Sequence, residues 1–242
     1  MRRWAAATSL TITVLLASAC EQPAIPEAEH LEPPTALAAS ELEYVLAVDW
    51  SGATFVDGVF QFETDLGYVV GVEQWTQSST AIELVVCEGF RGHSGNYTPD
   101  VSRLNEEVVQ ELTEGEPITQ GPAPGDGRDY CDVYQVLGAT EDEDGEARVA
   151  TIKGWYRPPG SSEIVPFEAI NTVPLTVLPP LGEGAWDDRL APGFASVELL
   201  RFPARAFDGL ELDSLSPLEL SFFAAEQLSQ DASVTWRLGP TG

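Results

Sequence analysis

Leu42-Glu43-Tyr44-Val45-Leu46-Ala47-Val48-Asp49-Trp50 (LEYVLAVDW) opens a run of segments whose pattern repeats every two residues, and that period decides the fold class. Successive side chains of a strand point to opposite faces, so a two-residue period reads as strand and a 3.6-residue period as helix. Val59-Phe60-Gln61-Phe62 repeats the pattern. Residues 68–75 and 81–87 extend it, with the polar stretch Thr76-Gln77-Ser78-Ser79 between them reading as a turn. Further strands are expected over 131–137, 147–156, 164–167, 172–178, 195–202 and 233–238. Many short strands separated by Gly, Pro and Asp point to a mainly β protein, an antiparallel β-sandwich or open barrel, rather than to βαβ units.

Two helices interrupt the strands. Over 99–112, Val101, Leu104, Val108 and Leu112 fall on one helical face with Glu106, Glu107 and Glu111 largely opposite. Ser216-Pro217-Leu218-Glu219 fits a capping box with Pro at the first helical position, leading into LELSFFAAEQL. The alternation of Leu218, Leu220 and Phe222 would also suit a strand. The stretch 113–128 (TEGEPITQGPAPGDGR) reads as a long Gly/Pro-rich loop, and 178–192 as an internal linker within one β-rich domain spanning 41–242.

The start of the chain has a different composition. Arg2 and Arg3 precede an uncharged, mostly apolar stretch that ends in Leu16-Ala17-Ser18-Ala19-Cys20. A basic head, a short apolar core and a small-residue exit describe a signal peptide over 1–19. A membrane anchor would need about 20 apolar residues, and this stretch reaches that only by counting Thr8, Ser9, Thr11 and Thr13. Residues 16–20 resemble the lipobox of bacterial lipoproteins, which are cleaved before the cysteine and acylated on it. Ala17 stands where that family usually has Leu. The resemblance implies Cys20 as the lipidated residue and a bilayer as its partner. By likeness to Gram-negative lipoproteins, Glu21 after the cysteine implies the outer membrane, facing periplasm or cell surface. Residues 20–40 (CEQPAIPEAEHLEPPTALAAS) are rich in Pro, Glu and Ala and are expected to be a disordered tether. At about 3 Å per residue such a tether reaches up to ~60 Å from a bilayer.

Charge and cysteine usage narrow the function classes. The formal charge is −27, and losing the two leader arginines takes it to −29, with Lys153 the only lysine. A surface of that sign repels nucleic acid and anionic headgroups, so no nucleic-acid partner is expected. With Cys20 committed to lipid, Cys87 and Cys131 remain, and an even pair in an oxidising compartment is expected to form a disulfide. The competing reading is a soft-metal site, which His30 and His93 supply poorly. No metal or other cofactor is therefore assigned.

No catalytic constellation is legible, and the chain reads as a non-enzyme. Gly92-His93-Ser94-Gly95 fails the spacing of a nucleophile elbow. Acids are too abundant for any carboxylate pair to stand out, which leaves a carboxylate hydrolase as the third reading. Two binding features merit weight. The acidic loop Glu141-Asp142-Glu143-Asp144-Gly145-Glu146 supplies hard oxygens suited to calcium, with Asp142, Asp144 and Glu146 as the candidate ligands. Trp186 lies in an irregular segment and is the candidate ligand-facing aromatic, whereas Trp50, Trp75, Trp155 and Trp236 sit at or near strand ends and are expected in the core.

Residues 57–89 (DGVFQFETDLGYVVGVEQWTQSSTAIELVVCEG) resemble the opening of a group of uncharacterised envelope lipoproteins of Gram-negative bacteria, in which a strand starting at T-D-L-G-Y precedes a strand ending in cysteine. Some relatives of that architecture handle copper in the periplasm, and this chain lacks a matching histidine set. Together these readings describe a membrane-anchored envelope lipoprotein with a non-catalytic binding or structural β-sandwich. Its expected partners are an envelope protein or polysaccharide. The alternative is a carbohydrate- or calcium-dependent binding domain.

Overall fold

The computed structural model describes residues 40–87, 99–125, 130–141, 145–181 and 194–238. The leader, Cys20, the tether with His30, and His93, Asp142, Asp144 and Trp186 lie outside the described residues. The fold is mainly β, and the strands among the described residues fall into three sheets and a small hairpin.

The first sheet joins β1 (Ser40–Val48), β7 (Ile118–Gly125), β14 (Phe194–Arg201) and β15 (Ser233–Leu238), in the order β15-β14-β1-β7. All its pairings are antiparallel except β1 with β14, which run parallel with Leu42 opposite Ala195 and Leu46 opposite Leu199. The second sheet orders β12 (Val165–Asn171), β11 (Ala150–Arg157), β4 (Val69–Ser79), β3 (Val59–Glu63) and β2 (Thr54–Val56). A sixth strand, β6 (Val108–Glu111), pairs with the last residues of β4. The third sheet consists of β5 (Ala81–Val86), β8 (Tyr130–Leu137) and β13 (Leu175–Val177). The hairpin is β9 (Thr140–Glu141) with β10 (Ala147–Arg148). No sheet among the described residues closes into a barrel, and the arrangement is that of a mainly β sandwich.

Two larger cores, and a smaller cluster of Leu137, Val149, Leu175 and Val177, follow from these layers. Leu42, Tyr44 and Leu46 of β1 are fully buried while Glu43 and Val45 between them are only partly so, as a two-residue period requires. They meet Ile82, Leu84 and Val133 of the third sheet, with Val197 and Leu199 alongside, and fill the sandwich. The second core lies under α1 (Pro217–Gln230), where Leu220, Ala224 and Leu228 pack on Val70, Val72, Trp75 and Ile152 of the second sheet. The helix forms because Ser216 and Glu219 close the capping box, with Glu219 N–H donating to Ser216 Oγ at 3.3 Å and Ser216 N–H to Glu219 Oε2 at 2.8 Å. The Ser216 hydroxyl, donating to Glu219 Oε2 at 2.7 Å, and the Ser216 N–H together hold the Glu219 carboxyl below its ordinary pKa. Its buried positions recur at helical spacing, so the local strand-like alternation of Leu218, Leu220 and Phe222 loses to the cap and to the apolar face.

The disulfide expected between Cys87 and Cys131 is present, with the two Cα atoms 4.8 Å apart. It joins the end of β5 to the start of β8, where the register of the pair shifts between Val85 and Val86.

Three expectations are corrected. Residues 99–112 form no helix: 99–107 are irregular or turn and β6 follows. Tertiary hydrogen bonds compete with the helix there. Ser102 Oγ accepts from Leu84 N–H at 3.0 Å, Ser102 O accepts from the Tyr44 hydroxyl at 2.9 Å, and Asp100 N–H donates to Glu83 at 2.9 Å. The Gly/Pro-rich stretch 113–128 contains β7 rather than only loop. As an edge strand, β7 tolerates Pro122 and Pro124, because one side of its backbone has no ladder to complete. Thr76 to Ser79 is not a turn but the continuation of β4. Gln77, Ser78 and Ser79 are buried there: Gln77 Nε2 donates to Ser229 Oγ at 2.8 Å, and the Ser78 hydroxyl lies within hydrogen-bond reach of the Gly138, Arg148 and Val149 carbonyls. No helix among the described residues is long and apolar enough to cross a membrane.

Candidate functional site

The six-stranded sheet has two unlike faces, and β11 shows why. Ala150, Ile152, Gly154 and Tyr156 are buried, while Thr151, Lys153, Trp155 and Arg157 alternate with them as half-buried or exposed residues. The first set faces the helix-covered core. The second set faces the other way and aligns in rows with the neighbouring strands. Lys153 stands between Gln74 of β4 and Glu168 of β12, and Thr151 stands between Thr76 and Ile170.

Trp155 occupies a prepared place in this face. Its register partners are Gly71 on β4 and Pro166 on β12. A Cβ at Gly71 would overlap Cε2, Cζ2 and Nε1 of the indole, so only glycine lets the ring lie over that backbone. The neighbouring crossing is tight as well, since a Cβ on Gly154 would run into the Gly71 carbonyl oxygen.

A cleft of about 500 Å³ opens beside this row. Gln74, Thr76, Thr151 and Glu168 of the sheet line it. Val109 of β6, 54% exposed, and Thr140, Glu141 and Arg148 of the β9–β10 hairpin add to the lining. The volume falls within the roughly 300–1,000 Å³ of small-ligand sites. Its chemistry is hydroxyl, amide and mixed charge. Gln74 is steadied by Glu111, whose Oε2 accepts from Gln74 Nε2 at 3.3 Å and whose Oε1 accepts from Trp75 N–H at 3.2 Å.

The buried charged side chains among the described residues, Glu83 and Arg201, lie elsewhere. Glu83 is buried at the sandwich end, where its Oε1 pairs with Arg103 Nη1 at 3.0 Å and its Oε2 accepts from Asp100 N–H. Burial pushes the Glu83 carboxyl above its ordinary range, against the opposing pull of that N–H and of Arg103. Burial likewise raises the Tyr44 phenol next to it. Arg201 is fully buried at the end of β14, and its Nη2 donates to Gln110 Oε1. Desolvation lowers its guanidinium to about 10, so it stays cationic at neutral pH. These groups pin segment 99–104 and β6 to the sheets.

The sequence-derived candidates fare unevenly. Of the calcium candidates, Glu146 is exposed beside Gly145, and Asp142 and Asp144 lie outside the described residues. Among the described residues no group of three His, Cys, Asp or Glu side chains could hold a metal. Trp186 lies outside the described residues, as does Cys20. The expectation that four tryptophans pack as core holds fully for Trp75, at 0% exposure. Trp50 and Trp236 are half-buried at core margins, where Trp50 stacks on Phe60 with centroids 4.1 Å apart and donates to Leu112 O at 2.9 Å. Trp155 departs from it, since it belongs to the open face. The signal for that was present as the alternation Thr151-Lys153-Trp155 against Ala150-Ile152-Gly154.

No family model matches the chain, and no curated protein matches it. Among solved structures, MbnP from Methylosinus trichosporium aligns over 67% of this chain and 76% of its own, at 13% identity and a TM-score of 0.32. A likeness of that size transfers neither ligand nor activity.

Proposed function

We propose that this chain is a membrane-anchored envelope lipoprotein whose β-sandwich domain is a non-catalytic binding module, with the open face of the six-stranded sheet as its contact surface. The observation that carries the binding half is the asymmetry of that sheet. One face lies under α1, while the other presents Lys153, Gln74, Glu168 and Trp155 beside a cleft of about 500 Å³. The anchoring half rests on the lipobox-like residues 16–20 and on the Pro/Glu-rich segment after them, which suits a spacer between bilayer and domain. Several acyl chains on Cys20 would hold the protein at the surface, since one chain alone gives only reversible binding.

Each half has its own experiment. Cys20→Ala is expected to move the protein from the membrane fraction to the soluble fraction, and unchanged fractionation would remove the anchor. A photo-crosslinking amino acid at Thr151, in intact cells, is expected to capture an envelope component, while the same label at exposed Glu226 on the helix captures none. Equal labelling at both positions would remove the open face as the contact surface.

A further inference from the structure

We infer that the open face of the six-stranded sheet is a site for a neutral oligosaccharide, with Trp155 as the stacking platform and Lys153, Gln74, Glu168, Thr76 and Thr151 as the row that bonds its hydroxyls. The inference rests on the binding-module reading and gives that module a ligand class.

Three observations select this chemistry. The first is the aromatic. Trp155 is half-buried on the outward side of a strand, with its ring held over Gly71 and beside Pro166. An indole immobilised on rigid sheet loses little conformational freedom when a sugar ring stacks on it, and it keeps one polar N–H at its edge. An aromatic whose only role was packing belongs on the other face, where Trp75 is fully buried.

The second is the composition of the row. Two residues along the strand from Trp155, Lys153 sits between an amide and a carboxylate. Two further along, Thr151 sits beside the Thr76 hydroxyl. From Trp155 to Thr151 is about 13 Å at strand rise, a length that suits an oligosaccharide more than a single ring. Each sugar hydroxyl both donates and accepts, and this row offers both functions at neighbouring positions. A hydrophobic peptide would find little apolar surface here, because Val109 and Ile170 flank the row without forming a continuous patch.

The third is charge. The chain carries −27, which disfavours polyanionic glycans through its summed field. Lys153 is offset by Glu168 on the adjacent strand, and Glu141 lines the cleft together with Arg148, so cations and carboxylates alternate here and give a carboxylated or sulfated sugar no purely positive surface. A neutral polyol meets neither obstacle.

The test is isothermal titration of the full chain with chitohexaose, cellohexaose and maltohexaose, and with hexagalacturonate as the charged probe. At least one neutral hexasaccharide is expected to bind with one-to-one stoichiometry and to shift tryptophan fluorescence. Trp155→Ala is expected to weaken that binding at least tenfold and to remove the fluorescence change, whereas Trp155→Phe keeps most of the affinity. Gln74→Ala and Thr151→Ala, which leave the indole in place, are expected to weaken it several-fold and keep the reading decisive if Trp155→Ala fails to fold. Binding by none of the three neutral probes, tighter binding of hexagalacturonate, or affinity unchanged in Gln74→Ala and Thr151→Ala would overturn the proposal. A protein adduct from the Thr151 crosslinker, together with silence toward all sugars, would overturn the ligand class and leave the binding module standing.

Discussion

The two faces of the six-stranded sheet are built from the same strands and differ in almost every physical respect. On the covered face Val70, Val72, Trp75 and Ile152 have no solvent exposure and pack against Leu220, Ala224 and Leu228 of α1. On the open face the same strands present Gln74, Thr76, Thr151, Lys153 and Trp155. One face supplies the burial that holds the layer together, and the other is released from that duty. A large residue on the covered face is therefore accounted for by packing. A large residue on the open face needs a ligand or a neighbour to account for it, and Trp155 is that residue.

Substitutions should separate the faces by magnitude. Trp75→Ala removes the largest side chain of the covered face, and a loss of about 3–5 kcal/mol in denaturant midpoint analysis is expected. Trp75→Phe should cost much less, because the indole N–H has no hydrogen-bond partner among the described residues. A Trp75→Ala loss below about 1 kcal/mol would mean that the covered face is not the stabilising one. Next in size is Gly71→Ala, whose new Cβ overlaps the Trp155 ring and forces it off the sheet, at about 1–3 kcal/mol together with a change in tryptophan emission. Unchanged emission would show that the glycine does not seat the indole.

Ser216→Ala opens the capping box that starts the helix covering the first face, and about 1 kcal/mol of thermal or denaturant stability should go with it. Thr151→Ala on the open face should fall within about 0.5 kcal/mol of the parent, as surface substitutions do when they carry no packing. A Thr151→Ala cost comparable to that of Trp75→Ala would erase the distinction between the faces.

Much of this was readable along the chain. In β1 the period of two places Leu42, Tyr44 and Leu46 together, and burial follows that order. The capping box at Ser216 predicts the helix start, and it outranks the strand-like alternation after it because two backbone N–H groups are satisfied at once. The pair Cys87 and Cys131, expected from the sequence to bond, forms the disulfide. The failures share a cause. The spacing of Val101, Leu104, Val108 and Leu112 is truly helical, yet the segment is claimed by Tyr44, Glu83 and Leu84, which lie 17 to 58 residues away. The polar run Thr76 to Ser79 looks like a turn because its carbonyl and hydroxyl partners, at Gly138, Val149 and Ser229, come from the end of β8, the link between β10 and β11, and the helix. Trp155 was visible as an outward residue in its own strand, but Gly71, which makes room for it, lies 84 positions earlier.

The amino-acid sequence by itself determined what is local: strand period, helix cap, cysteine pairing, net charge and the lipobox-like start. These depend on neighbours within a few residues or on simple sums, so no contact map is needed to read them. Only the tertiary structure decided which side of each strand is covered, which polar side chains find partners indoors, and where a tryptophan, a lysine and two threonines fall into one row beside a cleft. Those properties arise where segments distant along the chain converge, and the free energy of each residue there depends on what the others leave exposed.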